Sequence, residues 1–415
     1  MNQLTPTPMR CCLVSIGSHG DVAPFVALGQ ELRRRGHEVV LVVLQPYTHL
    51  VEAAGLRAAP VPLGTEALWP HQRLLRSLML AQSGATWLGM SLQLGRAAAT
   101  VVDTLLAAAK DADMLVSGVV TSGAAATLAR HHGLPSSTVL LGSLLPGSTD
   151  AQAVLAPAGA PAPLARLVSS VMWQMTRVMG ASHTRQAARR LGSRPRPHTD
   201  ATLIATSRLV SPPDPGWPAG VTQVGWLASP PPSEALPADL DRWLDDHRDA
   251  VFMGFGSVLS ADPGSDLALF RAAARRARRP LVVQTELLPL GVGDGDLFNV
   301  PRLDHRLLMP RVAGVVHHGG AGTTYTAVIS GRPQVLAPHL GDQPYYARRV
   351  RQLGVGTSAG PRWRLNAAGL ARALARALEP GVAARAQALG EQLGSEDGTA
   401  RAADSIEALR RPRTH

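Results

Sequence analysis

The stretch His317-His318-Gly319-Gly320-Ala321-Gly322-Thr323-Thr324 lies between two short apolar runs, Ala313–Val316 and Pro333–Ala337. This order predicts a strand, a glycine-rich loop, a helix from Thr323 onward and a second strand of an α/β sheet. The small residues let the backbone approach a ligand, and the unpaired N–H groups at the start of the helix attract an anion. The polar loop Pro338–Pro344 then falls at the carboxyl edge of the sheet, where open α/β sheets bind ligands.

The side chains of this unit have the chemistry to bind a phosphorylated sugar. His317, beside the helix N-terminus, can donate a hydrogen bond to a diphosphate oxygen. Asp342 and Gln343 form an acceptor–donor pair suited to neighbouring sugar hydroxyls. The segment from His317 to Gln343 contains no Asp-x-Asp pair, so we expect no metal ion and no other cofactor. The loop residues that can enclose the diphosphate are Gly319, Gly320, Gly322 and Thr323.

The composition is typical of a globular protein with a basic surface, and it does not favour a nucleic-acid binder. At 415 residues the chain is long enough for two domains of about 200 residues each. The net charge is +11, but Lys110 is the only lysine and the arginines are scattered. The densest run, Arg271–Arg279, has alanines between its charges and no aromatic residues for base stacking. We therefore predict a solvated helix face there and no nucleic-acid partner.

Cysteine usage and hydropathy bear on the compartment. Cys11 and Cys12 are adjacent in an apolar run, so we expect buried small hydrophobic residues, with neither a disulfide nor a metal site. The first residues do not combine a charged start, an apolar core and a cleavage site, so no signal peptide is predicted. No segment reaches about 18 uninterrupted apolar residues, the length of a membrane span. We expect a cytoplasmic protein and leave open a peripheral contact with the inner membrane.

Two successive strand–helix alternations run along the chain. In the first, strand Cys11–Ile16 leads to helix Val22–Arg35, and Glu38–Val43 is a continuous apolar strand typical of a buried parallel sheet. The second begins at strand Val251–Phe255. Between them, Ser211–Pro237 is dense in proline and reads as an extended interdomain connection. The pattern predicts two Rossmann-like, doubly wound halves, with the cleft between them as the default ligand site.

Two apolar stretches of the first half, Leu74–Ala109 and Leu164–Gly180, are predicted helices. The second is rich in Met and Val, which is typical of a helix in the protein core. The same composition also suits the wall of a pocket for a hydrophobic molecule, because methionine side chains adapt to partners of different shape.

The turn Gly17-Ser18-His19-Gly20-Asp21 joins the first predicted strand to the first predicted helix. Asp21 is a candidate N-cap of that helix, and its carboxylate is also a candidate general base at a ligand-binding edge. His19 has an ordinary pKa closer to neutrality and is a rival for that role. In the second half, Ser257 of the turn Gly254-Phe255-Gly256-Ser257 can donate its hydroxyl to a phosphate, although a plain tight turn explains the same residues.

Two longer stretches resemble the family 1 nucleotide-sugar glycosyltransferases of the GT-B fold. They are GSHGDVAPFVALGQELRRRGHEVVLV at residues 17–42 and VVHHGGAGTTYTAVISGRPQVLAPHLGDQPYYARRV at residues 315–350. The resemblance extends over residues 10–400 and is best with the bacterial branch, which includes antibiotic, sterol and rhamnolipid-type enzymes. It implies an α/β protein whose two Rossmann-like, doubly wound domains face each other across a cleft.

The resemblance also assigns roles to residues at matching positions. The phosphate-contacting His of the family falls on His317, with the glycine-rich loop beside it. Its sugar-contacting pair falls on Asp342 and Gln343. The catalytic base, a His in plant and animal members, falls on Asp21, as in similar bacterial enzymes. That match favours Asp21 over His19 as the base.

The nucleobase-binding segment of the family falls on Val300–Leu308, where Leu303 and His305 are the candidate contacts. Many members have a Trp in this segment and here Leu307 takes its place, so the identity of the nucleobase stays open. The resemblance places an acceptor-binding domain at residues 1–212 and a nucleotide-sugar-binding domain at 213–395. It further implies that a final helix, in 396–415, packs back on the first domain.

The function implied is inverting, metal-independent transfer of a hexosyl group from a UDP- or dTDP-sugar to a hydroxyl of a hydrophobic small molecule. The hexosyl group includes deoxyhexosyl groups such as rhamnosyl, and the acceptor includes lipids, polyketides and sterol-like alcohols. A nicotinamide-dependent oxidoreductase is an alternative, although the first turn, GSHGD, lacks the G-x-G-x-x-G fingerprint. A non-catalytic partner of another glycosyltransferase is a second alternative. Whether the protein is a monomer or a homodimer stays open.

Overall fold

The protein, seen in a computed structural model, forms two compact α/β units. Unit 1 comprises Met1–Ser229 together with Asp397–His415, and unit 2 comprises Pro230–Glu396. Each unit contains one seven-stranded sheet flanked by helices, which confirms the predicted α/β class with two doubly wound halves. The structure describes residues 8–64, 84–142, 144–149, 159–230, 232, 234–255, 263–285, 287–292, 296–300, 303–339 and 341–410.

The sheet of unit 1 consists of parallel strands in the order β3-β2-β1-β4-β5-β6-β7. These are β1 (Arg10–Val14), β2 (Glu38–Leu44), β3 (Arg57–Val61), β4 (Met114–Ser117), β5 (Ser136–Leu140), β6 (Ala201–Ile204) and β7 (Val221–Gln223). The strands near the centre are apolar on both faces because helices cover both sides of a parallel sheet. Cys11 and Cys12, on opposite faces of β1, are accordingly 1% and 0% exposed, as predicted.

The helices of unit 1 up to its last strand include two long ones. They are α1 (His19–Arg34), α2 (Thr48–Ala53), α3 (Gly84–Ala108), α4 (Ser122–His132) and α5 (Ala162–Leu191), with short 3₁₀ turns at Gln45–Tyr47 and Val119–Thr121. The predicted helix Leu74–Ala109 corresponds to α3 in its described part, and its first residues lie outside the described part. The predicted helix Leu164–Gly180 is the first half of α5.

Helix α1 begins at His19, earlier than the predicted start at Val22, because Ser18 is its N-cap. The predicted N-cap, Asp21, is instead the third residue of the helix. Its Oδ2 atom accepts hydrogen bonds from the Ser18 backbone N–H at 2.6 Å and from the Ser18 hydroxyl at 2.8 Å. This is the reach of an N3 carboxylate back to the N-cap residue, an arrangement that stabilises helix starts.

Helix α5 divides its apolar residues between the core and the solvent. Met172 and Met179 are 6% and 7% exposed and pack in the core, whereas Val171 and Val178 are 48% and 63% exposed. The composition alone did not separate these two faces. Within the described residues, no helix has both the length and the hydropathy that crossing a membrane requires.

Unit 2 repeats the architecture with the strand order β10-β11-β9-β8-β12-β13-β14, in which only the β10–β11 pair is antiparallel among the described strands. The strands are β8 (Val251–Met253), β9 (Leu281–Val283), β10 (Gly291–Val292), β11 (Leu297–Asn299), β12 (Gly314–His317), β13 (Gln334–Leu336) and β14 (Gly356–Ser358). Its helices are α6 (Ala238–Asp246), α7 (Pro263–Ala277), α8 (His305–Leu308), α9 (Ala321–Ile329), α10 (Gln343–Gln352), α11 (Ala367–Ala377) and α12 (Pro380–Gly394), with 3₁₀ turns at Met309–Arg311 and Arg362–Arg364.

The proline-rich segment Ser211–Pro237 differs from the predicted extended interdomain connection, because part of it belongs to the first sheet. Residues Val221–Gln223 form β7, which pairs with β6 and completes the first sheet. The two units meet in sequence at Ser229 and Pro230 and not at 212/213, because the ladder hydrogen bonds of β7 hold this segment in unit 1.

The last helix, α13 (Gly398–Ala408), belongs to unit 1. Its Ile406 is fully buried in the cluster that also contains Leu13 of β1. Arg401 donates to the Val224 carbonyl at 2.6 Å, which ties α13 to the segment after β7. The helix approaches so closely that a Cβ atom on Gly398 would lie 2.3 Å from the Trp226 carbonyl oxygen.

We predict that Gly398→Ala destabilises the protein, because the added methyl group meets backbone atoms that cannot move aside. The expected loss of unfolding free energy is about 1–3 kcal/mol, the usual cost of overpacking, measured by urea denaturation. Gly394→Ala is the matched control, since a Cβ atom on Gly394 meets no atom within 4 Å. Equal midpoints for the two variants would contradict the close packing of α13.

Candidate active site

The glycine-rich loop connects the carboxyl end of β12 to the N-terminus of α9. Gly319 has φ of +94°, and a Cβ atom there would lie 3.2 Å from the Gln343 carbonyl oxygen and 3.1 Å from Leu336 Cδ2. Only glycine fits both the backbone conformation and the space. Gly320 is the N-cap of α9, and because glycine has no side chain it does not cap the first N–H groups of the helix, which point to the loop. The loop therefore has the polarity of an anion site.

His317 occupies the last position of β12 and is completely buried. Its Nδ1 atom accepts a hydrogen bond from the Gly319 N–H at 3.1 Å, and its Nε2 atom is 2.9 Å from Gln334 Oε1. Because Nδ1 accepts, the proton is on Nε2 and is donated to Gln334. Burial lowers the pKa of His317 to about 4, so the ring is neutral. Both ring nitrogens are thus used within the protein, which does not favour the diphosphate contact predicted for His317.

His318, the next residue, differs from His317 because one of its ring nitrogens has no hydrogen-bond partner among the described residues. The residue is 8% exposed, and among the described residues its Nδ1 atom has no hydrogen-bond partner. The ring lies against the glycine loop, since a Cβ atom on Gly320 would be 2.6 Å from His318 Nε2. Burial, followed by the neighbouring imidazoles of His317 and His339, lowers the pKa of His318 to about 3. The sequence contained the signal in its His-His pair, but not which ring faces the loop.

The second loop, after β13, brings Asp342, Gln343 and His339 to the same edge of the sheet. Asp342 is the N-cap of α10 and Gln343 its first residue, and Gln343 is 5% exposed. The Gln343 Oε1 atom accepts from the His339 backbone N–H at 2.7 Å. The His339 Nδ1–H donates to the Ala337 carbonyl oxygen at 2.8 Å. His339 was not predicted, and it lies with its ring 6.3 Å from that of His318.

Asp21 lies in unit 1, in the turn after β1. A Cβ atom on Gly17 would be 2.3 Å from Asp21 Oδ2, so a glycine is required where the carboxylate folds back over the turn. Both Ser18 hydrogen bonds go to Oδ2, and none to Oδ1 is present among the described residues. Burial raises the pKa of Asp21 against the opposing effect of the Ser18 hydrogen bonds. The carboxylate is therefore a stronger base than an ordinary aspartate.

The other predicted residues have mixed placements. His19 is the first residue of α1 and is exposed. His305 starts α8, with Nε2 3.1 Å from Gln284 Oε1 and its ring against Phe252. Leu303 packs against the core cluster around Phe252. Ser257 lies outside the described residues. Within the described part of the chain, no group of three or more His, Cys, Asp or Glu side chains could hold a metal ion.

Comparison with known proteins covers both units. Residues 11–116 match the glycosyltransferase family 28 N-terminal domain, and residues 295–409 match the C-terminal domain of erythromycin biosynthesis protein CIII-like proteins. The chain is 32% identical to O-mycaminosyltylonolide 6-deoxyallosyltransferase of Streptomyces fradiae, over 98% of this chain and 99% of that protein. The chain belongs to the antibiotic-type glycosyltransferases. This glycosyltransferase is also 30% identical to glycosyltransferase GtfE of Amycolatopsis orientalis, over 96% and 97% of the two chains.

Solved structures share the fold of this glycosyltransferase. The kitacinnamycin glycosyltransferase superposes with a TM-score of 0.70 at 22% identity, over 98% of this chain and 100% of that one. Glycosyltransferase VinC, solved in complex with dTDP, also has a TM-score of 0.70, at 18% identity and over 97% and 100% of the chains. The fold is GT-B, as predicted. Family membership makes the chain a transferase, so the oxidoreductase and non-catalytic alternatives are set aside.

We predict that Gly319→Ala disturbs the loop of this glycosyltransferase, because alanine at φ of +94° is strained and its methyl group meets Leu336 and the Gln343 carbonyl. The expected loss of unfolding free energy is about 1–3 kcal/mol. Gly322→Ala is the control, because a Cβ atom there meets nothing within 4 Å and alanine suits a helix. The two midpoints of urea denaturation would be compared, and a control as unstable as Gly319→Ala would refute this account.

Proposed function

We propose that this glycosyltransferase transfers a hexosyl group, in particular a 6-deoxyhexosyl group, from a dTDP- or UDP-sugar to a hydroxyl of a hydrophobic small molecule such as a polyketide. The observation that carries the donor half is the N-terminus of α9, whose N-cap Gly320 provides no side chain, beside the His318 ring, whose Nε2 lies against Gly320. The acceptor and the sugar class rest on the relative from Streptomyces fradiae, whose name describes transfer of 6-deoxyallose to O-mycaminosyltylonolide. The choice of dTDP rests on the VinC complex.

We assign the general base to Asp21. In one step, Asp21 takes the proton of the acceptor hydroxyl, the acceptor oxygen forms a bond to the anomeric carbon, and the bond from that carbon to the diphosphate oxygen breaks. The nucleoside diphosphate leaves with the electron pair of the broken bond. Attack from the face opposite the leaving group inverts the anomeric centre. The raised pKa of Asp21 supports this role, because a base works best when its pKa approaches the working pH.

We assign the diphosphate contact to His318, in place of the predicted His317. With Nε2 protonated, the neutral His318 ring can donate to a diphosphate oxygen from the side that lies against Gly320, and the N–H groups at the start of α9 add further donors. His317 then has a positioning role, since it holds the loop through Gly319 and Gln334. Gly319, Gly320, Gly322 and Thr323 remain the proposed loop contacts, and Asp342 and Gln343 the proposed sugar contacts. This arrangement meets the charge of the leaving group without a metal ion.

The direct test is a set of UDP- and dTDP-sugars combined with polyketide and lipid alcohols, followed by nucleoside diphosphate release and product mass. We expect turnover with at least one dTDP-deoxyhexose, undiminished by a chelator, and a product whose anomeric configuration is inverted by NMR. Asp21→Asn should lower kcat by about a thousandfold or more. Wild-type turnover by Asp21→Asn, or retention of configuration, would exclude Asp21 as the base.

A pH profile tests how the carboxylate is tuned. Asp21 acts only when ionised, so kcat falls as the pH drops through its raised pKa. Ser18→Ala removes a hydrogen bond that stabilises the ionised form, and the acid limb of the profile should therefore move to higher pH. Ser15→Ala is the matched control, because the Ser15 hydroxyl donates at 2.8 Å to the Asp21 carbonyl and not to its carboxylate. Equal acid limbs in all three proteins would contradict this assignment.

Nucleotide binding tests His318. We expect His318→Ala to weaken binding of dTDP or UDP by about tenfold or more, the worth of a hydrogen bond to a charged group, measured by calorimetry. His183→Ala is the control, because His183 is also a buried His with a pKa lowered to about 4 but lies on α5 in unit 1. An unchanged dissociation constant in His318→Ala, combined with weaker binding in His317→Gln, would return the contact to His317.

A further inference from the structure

The outer face of α5 in unit 1 carries an apolar stripe that no other described element covers. The side chains of Leu164, Leu167, Val171 and Val178 are 42%, 61%, 48% and 63% exposed. Leu164, Val171 and Val178 follow each other at intervals of seven residues, which places them along one line of a helix. The opposite face, with Met172 and Met179, packs in the core. The stripe is therefore an unpartnered apolar surface on a helix that is otherwise firmly anchored.

Along the same side of α5, the apolar residues are followed by arginines. Arg185 follows Val178 after another seven residues, and Arg189 lies one turn further on. Helix α5 contains five arginines and no Asp or Glu. Only Arg190 is paired among the described residues, with Asp103 of α3 at 2.7 and 2.8 Å. The remaining arginines of α5 are thus uncompensated, and all are exposed.

A groove of about 350 Å³ opens beside this stripe, between α5 and the strands β5 and β6. Val178 of the stripe lines it, together with Arg177, Arg185, His198 and the half-buried ring of Trp173. Among the described residues no carboxylate lines the groove. Partial burial and then the nearby Arg177 and Arg196 lower the pKa of His198. The groove is suited to an anionic group whose apolar part extends over the stripe.

The charge pattern limits what can cover this face. A second α5 helix cannot pair with it, because its own arginines would meet arginines and no acidic residue is available on either helix. The partner must offer apolar surface and negative charge along a line of about 45 Å, the length of a 30-residue helix. A bilayer that contains anionic lipid offers both. Arginine and tryptophan at the edge of an apolar helix face are typical of helices that lie in a membrane interface.

We propose that the outer face of α5 binds the surface of an anionic lipid bilayer. Leu164, Leu167, Val171 and Val178 enter the boundary of the acyl chains, and a lipid phosphate occupies the groove between Arg177 and Arg185. The net charge of +11 draws the protein to such a surface before contact. This inference is independent of the donor and acceptor chosen above, because it concerns a face of unit 1 that contains none of the proposed catalytic residues.

Vesicle sedimentation of the full chain, without donor or acceptor, tests the proposal. We expect binding to vesicles of phosphatidylcholine mixed with phosphatidylglycerol, little binding to phosphatidylcholine alone, and weaker binding as salt is added. The double variant Arg177→Glu/Arg185→Glu should lower the partition coefficient by about tenfold or more. Val171→Asp/Val178→Asp should do the same through the apolar stripe. Thermal unfolding should be unchanged in both variants, because these side chains are exposed.

The matched control is Arg275→Glu/Arg276→Glu on α7, which changes the net charge equally on exposed arginines of unit 2. It should lower the partition coefficient by less than about threefold. An equal loss in this control would show that the partition coefficient depends only on the net charge of the protein, and it would overturn the proposal. So would equal binding to the two kinds of vesicle, or binding that the valine variant does not weaken. A concentration-dependent dimer in sedimentation velocity, lost in the valine variant and without vesicle binding, would assign the face to a second copy of the chain.

Discussion

One buried imidazole organises the loop between β12 and α9. His317 accepts the Gly319 N–H through Nδ1 and faces Gln334 through Nε2, so it bridges the loop to the neighbouring strand β13. The two contacts permit only one tautomer and only the neutral ring, since a proton on Nδ1 would point at the Gly319 N–H. The positive φ of Gly319 accompanies this bridge, and the next histidine, His318, keeps a buried Nδ1 atom without a partner among the described residues. A polar residue at the end of a buried strand thereby sets the shape of a surface loop.

Burial favours the neutral form of Asp21 in unit 1 and of the three histidines in the two loops of unit 2. It lowers the pKa values of His317, His318 and His339 and raises that of Asp21, so each group is shifted toward its neutral form. Before a ligand arrives, the histidine rings of these two loops of unit 2 are polar but uncharged. A diphosphate that binds as proposed would meet N–H dipoles that are already oriented.

The elements that the sequence predicts well are those whose environment is uniform. Residues 39–44 of β2 are apolar throughout because the strand is covered on both faces, and a continuous apolar run of this kind can be recognised from the sequence alone. Strand β7 was missed because Val221–Gln223 is short and joins the sheet only through its pairing with β6. The proposed choice of His318 over His317 likewise rests on Gln334, a residue of another strand that contacts the His317 ring. Asp21 was recognised as a candidate residue from the sequence. Its position as the third residue of α1 was not, because it depends on Ser18 as the N-cap.

The return of α13 to unit 1 makes unit 2 an insertion within the chain of unit 1. During synthesis, the residues of unit 2 emerge as one continuous segment. Their sheet can therefore form while translation continues. The core around Leu13 has to wait for Ile406, which is synthesised after all of unit 2. Unit 1 is thus completed only after the unit that is inserted in it. Until α13 is synthesised, the apolar side of α1 that packs against it stays exposed to solvent and to chaperones. This exposure follows from the insertion of unit 2 within the chain of unit 1.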